Sequence, residues 1–221
     1  MHSAKSHWNQ LYENPRFRPS YPNDQVVRFL LASRGLLERG NPVRFLDIGI
    51  GAGRHSKLAS ELGFEPFGID VSLVGLKHGH ERLLAAGMRP RLAQASMLGL
   101  PFADSSFDLV LSFGVFNYAT AAEMKRAIGE ARRVLIPGGR LLAVLRTTED
   151  YRFGKGDKLE SNTFRLTIQD TNEAATVQHF LAAEDLPVYF AEFSGMRFEK
   201  TETTFAERTR LDSDWVVTAE K

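Results

Sequence analysis

Between Phe45 and His55 the chain reads FLDIGIGAGRH, an apolar run that ends in an acid and passes into glycines at alternate positions, Gly49, Gly51 and Gly53. Residues 44–50 have the make-up of a buried strand, and residues 54–62 place Leu58, Ala59 and Leu62 at helical spacing. Glycine between a strand and a helix lets the backbone turn tightly and approach a ligand with no Cβ in the way. The free N–H groups at the helix start then point at whatever binds there. A strand–helix turn that binds nothing can use glycine in the same way, so this segment alone leaves both readings open. A dinucleotide fingerprint, GxGxxG, is a poor fit, because Arg54 and Ser56 occupy the place of its third glycine in the two possible registers.

Residues 47–53 spell DxGxGxG, which resembles motif I of class I S-adenosylmethionine-dependent methyltransferases of the small-molecule type. Three further segments resemble the same family in the same order. Residues 65–71 are a second short strand with Asp70 at its C-terminal end. Residues 100–110, LPFADSSFDLV, resemble the lead into the fourth strand, and residues 128–144, IGEARRVLIPGGRLLAV, the helix, Pro-Gly-Gly turn and fifth strand that follow. The resemblance covers residues 40–146 or so and implies an α/β fold. That fold is a Rossmann-like three-layer sandwich, with a mostly parallel seven-stranded sheet, an antiparallel last strand and helices on both faces.

Open α/β sheets bind ligands beyond the carboxyl ends of their strands, so Asp70 is expected in the same crevice as the glycine turn. A carboxylate there can accept from both hydroxyls of a ribose; otherwise it is a solvated strand end. The resemblance implies S-adenosylmethionine as cofactor. Asp47 and the backbone of Gly49, Gly51 and Gly53 would hold its methionyl end, Asp70 its ribose, and Val71, Ser96 and Met97 its adenine, with Phe113 nearby. Two departures stand out. Many relatives carry an Asp for the adenine amino group where Ser96 stands, and a His pair where Asn117 and Tyr118 stand. Neither Asn nor Tyr is a good base near neutral pH, although both can orient a substrate by hydrogen bonds; a turn Asn beside a half-buried Tyr is the equal alternative.

Composition bounds the rest. A chain of 221 residues, 43% hydrophobic, suits one compact domain spanning 1–221: a helical lid or cap over 1–40, a cofactor-binding core over 41–146, and a substrate-side insertion with a closing hairpin over 147–221. A formal net charge of +1 offers no global basic field for nucleic acid. Zero cysteines exclude disulfides, thiolate metal sites and a Cys nucleophile. No apolar stretch reaches the ~20 residues of a membrane span, and no signal peptide is evident, so the expectation is a cytoplasmic monomer or homodimer that does not engage a membrane. Strands are expected over 44–50, 65–71, 90–95, 107–113, 139–146, 188–200 and 203–219, and helices over 54–62, 72–86 and 121–135, followed by a further helix near the C-terminal side of an irregular loop over 146–170.

The N-terminal segment packs Trp8, Tyr12 and Tyr21 beside Arg18 and two prolines. Related enzymes use such a segment as a lid, in which the aromatics wall the pocket against substrate and sulfonium, and Arg18 could pair with the methionyl carboxylate. An amphipathic helix capping the sheet reads equally well from the spacing of Trp8, Leu11 and Tyr12. In the loop over 146–170, Arg146 and Tyr151 are candidate substrate contacts. Arg146, Arg152, Lys155, Lys158 and Arg165 suit an anionic substrate, but Glu149, Asp150, Asp157 and Glu160 offset them, which leaves a solvated charged loop as the default. His55, in the first turn after the glycines, and His179, on the expected closing helix, could each act as a base, although a structural histidine is the commoner reading of either. No His and acid cluster has metal-ligand spacing, so no metal is expected. The reading is a methyltransferase acting on an O, N or C nucleophile of a small molecule, chiefly by proximity, with Asn117, Tyr118 and His179 as catalytic candidates. The alternatives are a non-catalytic S-adenosylmethionine-binding protein and a methyltransferase acting on RNA or protein.

Overall fold

The computed structural model describes residues 2–168 and 173–221. In chain order the helices are α1 (His2–Glu13), α2 (Asp24–Ala32), α3 (Arg54–Glu61), α4 (Leu73–Ala85), α5 (Ala121–Val134) and α6 (Leu186–Tyr189). The strands are β1 (Arg44–Ile48), β2 (Glu65–Asp70), β3 (Leu92–Gln94), β4 (Phe107–Phe113), β5 (Leu135–Arg146), β6 (Gly156–Glu160), β7 (Thr163–Leu166), β8 (Val177–His179), β9 (Ser194–Phe205) and β10 (Arg210–Glu220).

Seven strands form one sheet in the order β3-β2-β1-β4-β5-β10-β9. Strands β1 to β5 run parallel, and β10 lies antiparallel between β5 and β9. Both faces of β1 are buried, as a central parallel strand requires: Leu46 and Ile48 join the core under α5, while Phe45 turns to the core under α2 and α3. Helix α5 presents Met124, Ala127, Ile128, Ala131 and Val134 to that first core and starts with a Thr120–Glu123 capping box. The chain leaves β1 toward β2 and β3, then crosses back to β4, so the carboxyl ends of β1 and β4 open a crevice where the winding reverses.

Strands β1 to β5 and helices α3 to α5 agree with the sequence expectation to within about four residues. The two late strands expected over 188–200 and 203–219 begin six and seven residues later, as β9 and β10, and α6 takes the place of the first one's start. The segment after β5 departs further. The loop expected to be irregular folds into a second, three-stranded antiparallel sheet in the order β6-β7-β8. Phe164 and Leu166 alternate with Thr163 and Arg165 along β7, and the two apolar side chains meet Phe153 and Phe180 in a small core of their own. That burial, not the charge count of the segment, decides its structure. Gln169 and Asp170, the end of the predicted loop, lie outside the described residues. The expected closing helix around His179 is also overturned: His179 ends β8, and only the four-residue α6 follows. Among the described residues no helix is long and apolar enough to cross a membrane.

Candidate active site

The turn after β1 takes Gly49, Gly51 and Gly53 through φ of 75°, 52° and 79°, a region that L side chains avoid. The turn is also crowded. A Cβ on Gly51 would stand 2.4 Å from the Tyr12 hydroxyl, and one on Gly79 of α4 would stand 2.9 Å from the Gly51 carbonyl oxygen. Gly75 and Gly79, one turn apart on α4, thus let that helix lie against the turn, and the Tyr12 ring fills the saddle between Gly51 and Gly75. These two helical glycines were missed in the sequence. Their spacing of four, at a cost of ~1 kcal/mol each against alanine, was the available signal.

Asp70 closes the floor. Its Oδ2 accepts from the Gly51 N–H at 2.9 Å and its Oδ1 from the Ser72 N–H at 2.8 Å, so one carboxylate ties the glycine turn to the start of α4. Burial pushes its pKa up to about 6, against the pull of those backbone donors. Asp47 is buried behind the turn, accepts from Ser56 Oγ at 3.0 Å, and is raised by burial to about 7. Neither Asp47 nor Gly53 reaches the cavity wall; they shape the turn from behind.

In front of the turn lies a cavity of about 1270 Å³. Gly49, Gly51, Asp70, Val71, Ser96, Met97, Phe113, Tyr118, Trp8 and Tyr12 all line it, so the structure brings together most of the expected cofactor residues and two of the three N-terminal aromatics. Helix α1 both packs on α4, where Asn9 Oδ1 accepts from Ser72 Oγ at 2.8 Å, and walls the cavity with Trp8 and Tyr12. Trp8 meets Tyr118 edge to face, with ring centroids 4.8 Å apart.

Other candidates stand elsewhere. Tyr21 is 84% exposed and off the cavity. Arg18 lies against His78 of α4, its Nη1 2.7 Å from the ring Nε2, and does not line the cavity. The cations that do line the cavity near the glycine turn are Arg54 and Arg82, which the sequence reading passed over. Arg82 follows Gly75 and Gly79 on the same face of α4, and its guanidinium donates to the carbonyls of Pro19 and Arg18. Asn117 is fully buried outside the wall, where its Oδ1 accepts from the Arg146 N–H at 3.2 Å. Tyr151 stacks on Arg152 away from the cavity, with the guanidinium carbon 4.3 Å from its ring centroid.

The histidines are poor bases in this setting. His179 has both ring nitrogens engaged, Nδ1 with Thr163 Oγ1 at 2.7 Å and Nε2 with Tyr189 Oη at 2.6 Å, and burial lowers its pKa. His55 lines the cavity, but burial, with Arg54 beside it, pushes its pKa down to about 3. Arg146 is no substrate cation either. Its Nη2 lies 2.5 Å from Glu173 Oε1, which also accepts from the Tyr118 hydroxyl at 2.8 Å. Arg152 braces the other side, with Nε 2.6 Å from Glu173 Oε2 and Nη1 2.7 Å from both Asp150 oxygens. This ionic cluster lies behind Tyr118 and fixes its ring on the wall.

A glycine turn crowded by a second glycine pair, an acid at the end of β2 and a crevice at the reversal of winding are the features of a nucleoside-binding α/β domain. Residues 46–143 match the family described as a methyltransferase domain. These residues are a methyltransferase domain of the class I S-adenosylmethionine-dependent kind. Over 106 residues the chain is 37% identical to a demethylmenaquinone methyltransferase of Thermus thermophilus, covering 47% of this chain and 47% of that one. It is 31% identical over 159 residues to a probable tRNA methyltransferase 9B of Mus musculus, covering 70% of this chain and 33% of the relative. The chain therefore spans about half or less of the length of these relatives. Among solved structures, a Methanosarcina mazei protein described as an S-adenosylmethionine-dependent methyltransferase superposes with a TM-score of 0.69 at 21% identity, covering 84% of this chain and 96% of that one.

Proposed function

We propose that the chain, read as one domain over 1–221 acting in the cytoplasm, transfers a methyl group from S-adenosylmethionine to an O, N or C nucleophile of a small molecule. The observation that carries this reading is the single cavity that runs from the glycine turn and Asp70 to Tyr118 and the wall of β7 and β8. Its volume exceeds the ~300–1,000 Å³ of an ordinary ligand pocket, which leaves room for a nucleoside and an acceptor together. The glycine cradle fits a ligand that approaches backbone closely, and each oxygen of Asp70 keeps a lone pair beyond its backbone bond for ribose hydroxyls. Val71, Ser96 and Met97 would frame the adenine, while Arg54 and Arg82, in place of Arg18, lie toward the methionyl carboxylate.

When bound, S-adenosylmethionine supplies a methyl group on a sulfonium leaving group that needs no further activation. The protein's part is then alignment and desolvation, and good alignment alone can lower a barrier by ~7–11 kcal/mol. Tyr118, held by Glu173, and Trp8, held against Tyr118, present fixed aromatic faces to an acceptor and exclude water. No proton transfer by His55 or His179 is required. His55→Gln and His179→Gln are each expected to cost turnover less than the ~10²-fold low end for losing a positioned general base. A thousandfold loss in either variant, with fold and cofactor affinity intact, would identify that histidine as the base.

A thermal-shift screen tests the reading directly: S-adenosylmethionine and S-adenosylhomocysteine should raise Tm and NADH should not. Release of S-adenosylhomocysteine with a panel of small phenols, amines and a naphthoquinol, the last prompted by the Thermus relative, should then find the acceptor. The mouse relative supports a second reading, action on tRNA, and a gel-shift with bulk tRNA decides between them. Deleting residues 1–21 should leave part of the cofactor affinity, since the turn and Asp70 remain, while turnover collapses through loss of the Trp8 and Tyr12 wall. Full activity after deletion would reduce α1 to a packing element.

A further inference from the structure

The charges along the cavity are unequal. Four cations line it, Lys5, Arg54, Arg82 and Arg165, against two carboxylates, Asp70 and Glu123, while the His55 imidazole stays neutral. Both carboxylates are committed within the protein: Asp70 to the Gly51 and Ser72 N–H groups, and Glu123 to the N–H of Thr120, at 2.9 Å, in the cap of α5. Arg54 and Arg82 donate to backbone carbonyls at the glycine-turn end. Lys5 and Arg165 are different. Both line the cavity, Lys5 one turn before Trp8 on α1 and Arg165 on β7, and among the described residues neither has an ion pair.

Their placement follows from two periodicities. Lys5 precedes Trp8 and Tyr12 by three and seven residues on α1, so it shares their face, the one that meets Tyr118. Arg165 alternates with Phe164 and Leu166 on β7, so burial of those two in the small core turns it the other way, toward the cavity. Asp157 pairs with Arg165 in register across β6 and β7 without forming a salt bridge. Of the five basic residues between 146 and 165, Arg146 and Arg152 are consumed by Glu173 and Asp150, and Arg165 alone lines the cavity. The same cavity carries the apolar faces of Trp8, Tyr118, Leu159 and Val177, beside the polar Thr120, Glu123 and Thr176.

Resting on the methyltransferase reading, we propose that the methyl acceptor is an apolar, planar anion, its rings against Trp8 and Tyr118 and its carboxylate, sulfonate or phosphate group between Lys5 and Arg165. A cationic cofactor entering a cavity with an excess of positive side chains makes an anionic acceptor the electrostatically complementary partner. A neutral molecule of equal shape offers these cations no opposite charge and so forgoes that attraction.

The test compares 8-anilinonaphthalene-1-sulfonate with N-phenyl-1-naphthylamine, the same rings without the sulfonate, by fluorescence titration of the full chain saturated with S-adenosylhomocysteine. The sulfonate is expected to bind at least tenfold more tightly. In the variant carrying Lys5→Gln and Arg165→Gln that preference should vanish, while the neutral probe and S-adenosylhomocysteine, the latter followed by calorimetry, bind as before. Equal affinity of the two probes for the unmodified protein, or a preference that survives both substitutions, would overturn the acceptor assignment alone. Absence of S-adenosylhomocysteine binding to the unmodified protein would overturn the methyltransferase reading and this assignment with it.

Discussion

Glu173→Ala should destabilise the fold by about 3–5 kcal/mol, because it leaves Arg146 and Arg152 as buried cations stripped of their shared carboxylate. The side chains of Arg146 and Arg152 are only 13% and 9% exposed, so water cannot replace the lost partner. At ~2–4 °C per kcal/mol for a chain of this size, Tm should fall by roughly 6–20 °C. Tyr118→Phe removes one donor to Glu173 and leaves both ion pairs, so its cost should be smaller, about 1.5–3 kcal/mol. A loss under about 1 kcal/mol for Glu173→Ala in calorimetry would mean that Asp150 and Asp212 suffice to hold the guanidinium groups, and the cluster could not then be what fixes Tyr118.

Asp70→Ala should weaken S-adenosylmethionine binding by about 2–3 kcal/mol, the upper part of the range for hydrogen bonds to a charged group. The structure adds a second reason for a large effect: the same carboxylate holds the Gly51 N–H, so its loss loosens the cradle as well as removing the proposed ribose acceptor. Asp70→Asn separates the two contributions, since its oxygen can keep one backbone donor while its amide can no longer accept. The pH dependence follows from burial. With a folded pKa of about 6 against 3.8 for the free side chain, Asp70 holds a proton in the folded protein over a window in which the unfolded chain has released it. Stability falls as pH rises through that window, and Asp47, at about 7, extends the fall upward. Binding that needs an ionised Asp70 runs the opposite way, so affinity at pH 5 should be about tenfold weaker than at pH 7. Calorimetry showing unchanged affinity for Asp70→Ala in a folded protein would remove the ribose assignment.

Most of the main sheet was legible because its determinants are local. A strand made mostly of apolar residues, a turn that favours glycine, an acid at a strand end and a helix with apolar residues three and four apart are properties of short segments, and each is written in consecutive residues. The same holds for the glycine turn and Asp70, whose association needs only the parallel pairing of β1 with β2. The acceptor side was less legible. Charge counting over residues 146–165 balanced five basic residues against four acids and read a solvated loop, yet β7 carries the alternation of a half-buried strand, and that alternation governs the outcome.

What only the tertiary structure decided is which polar residues find each other. Glu173 sits far along the chain from Arg146 and from Tyr118, and nothing local marks it as the carboxylate that consumes one and anchors the other. Arg82 takes the place expected of Arg18 because the chain after α1 runs beside α4, where the Arg18 side chain lies against His78 while Arg82 holds the Arg18 and Pro19 carbonyls and lines the cavity. His179 is spent on Thr163 and Tyr189, which the chain brings to it from either side. By itself, the sequence determined the order of elements through β5 and the glycine turn beside Asp70, because steric and hydrophobic preferences act over a few residues. The packing of the two sheets decided which charges are neutralised and which face the cavity, because electrostatic pairing depends on distance in space, and that distance is unknown until the chain has folded.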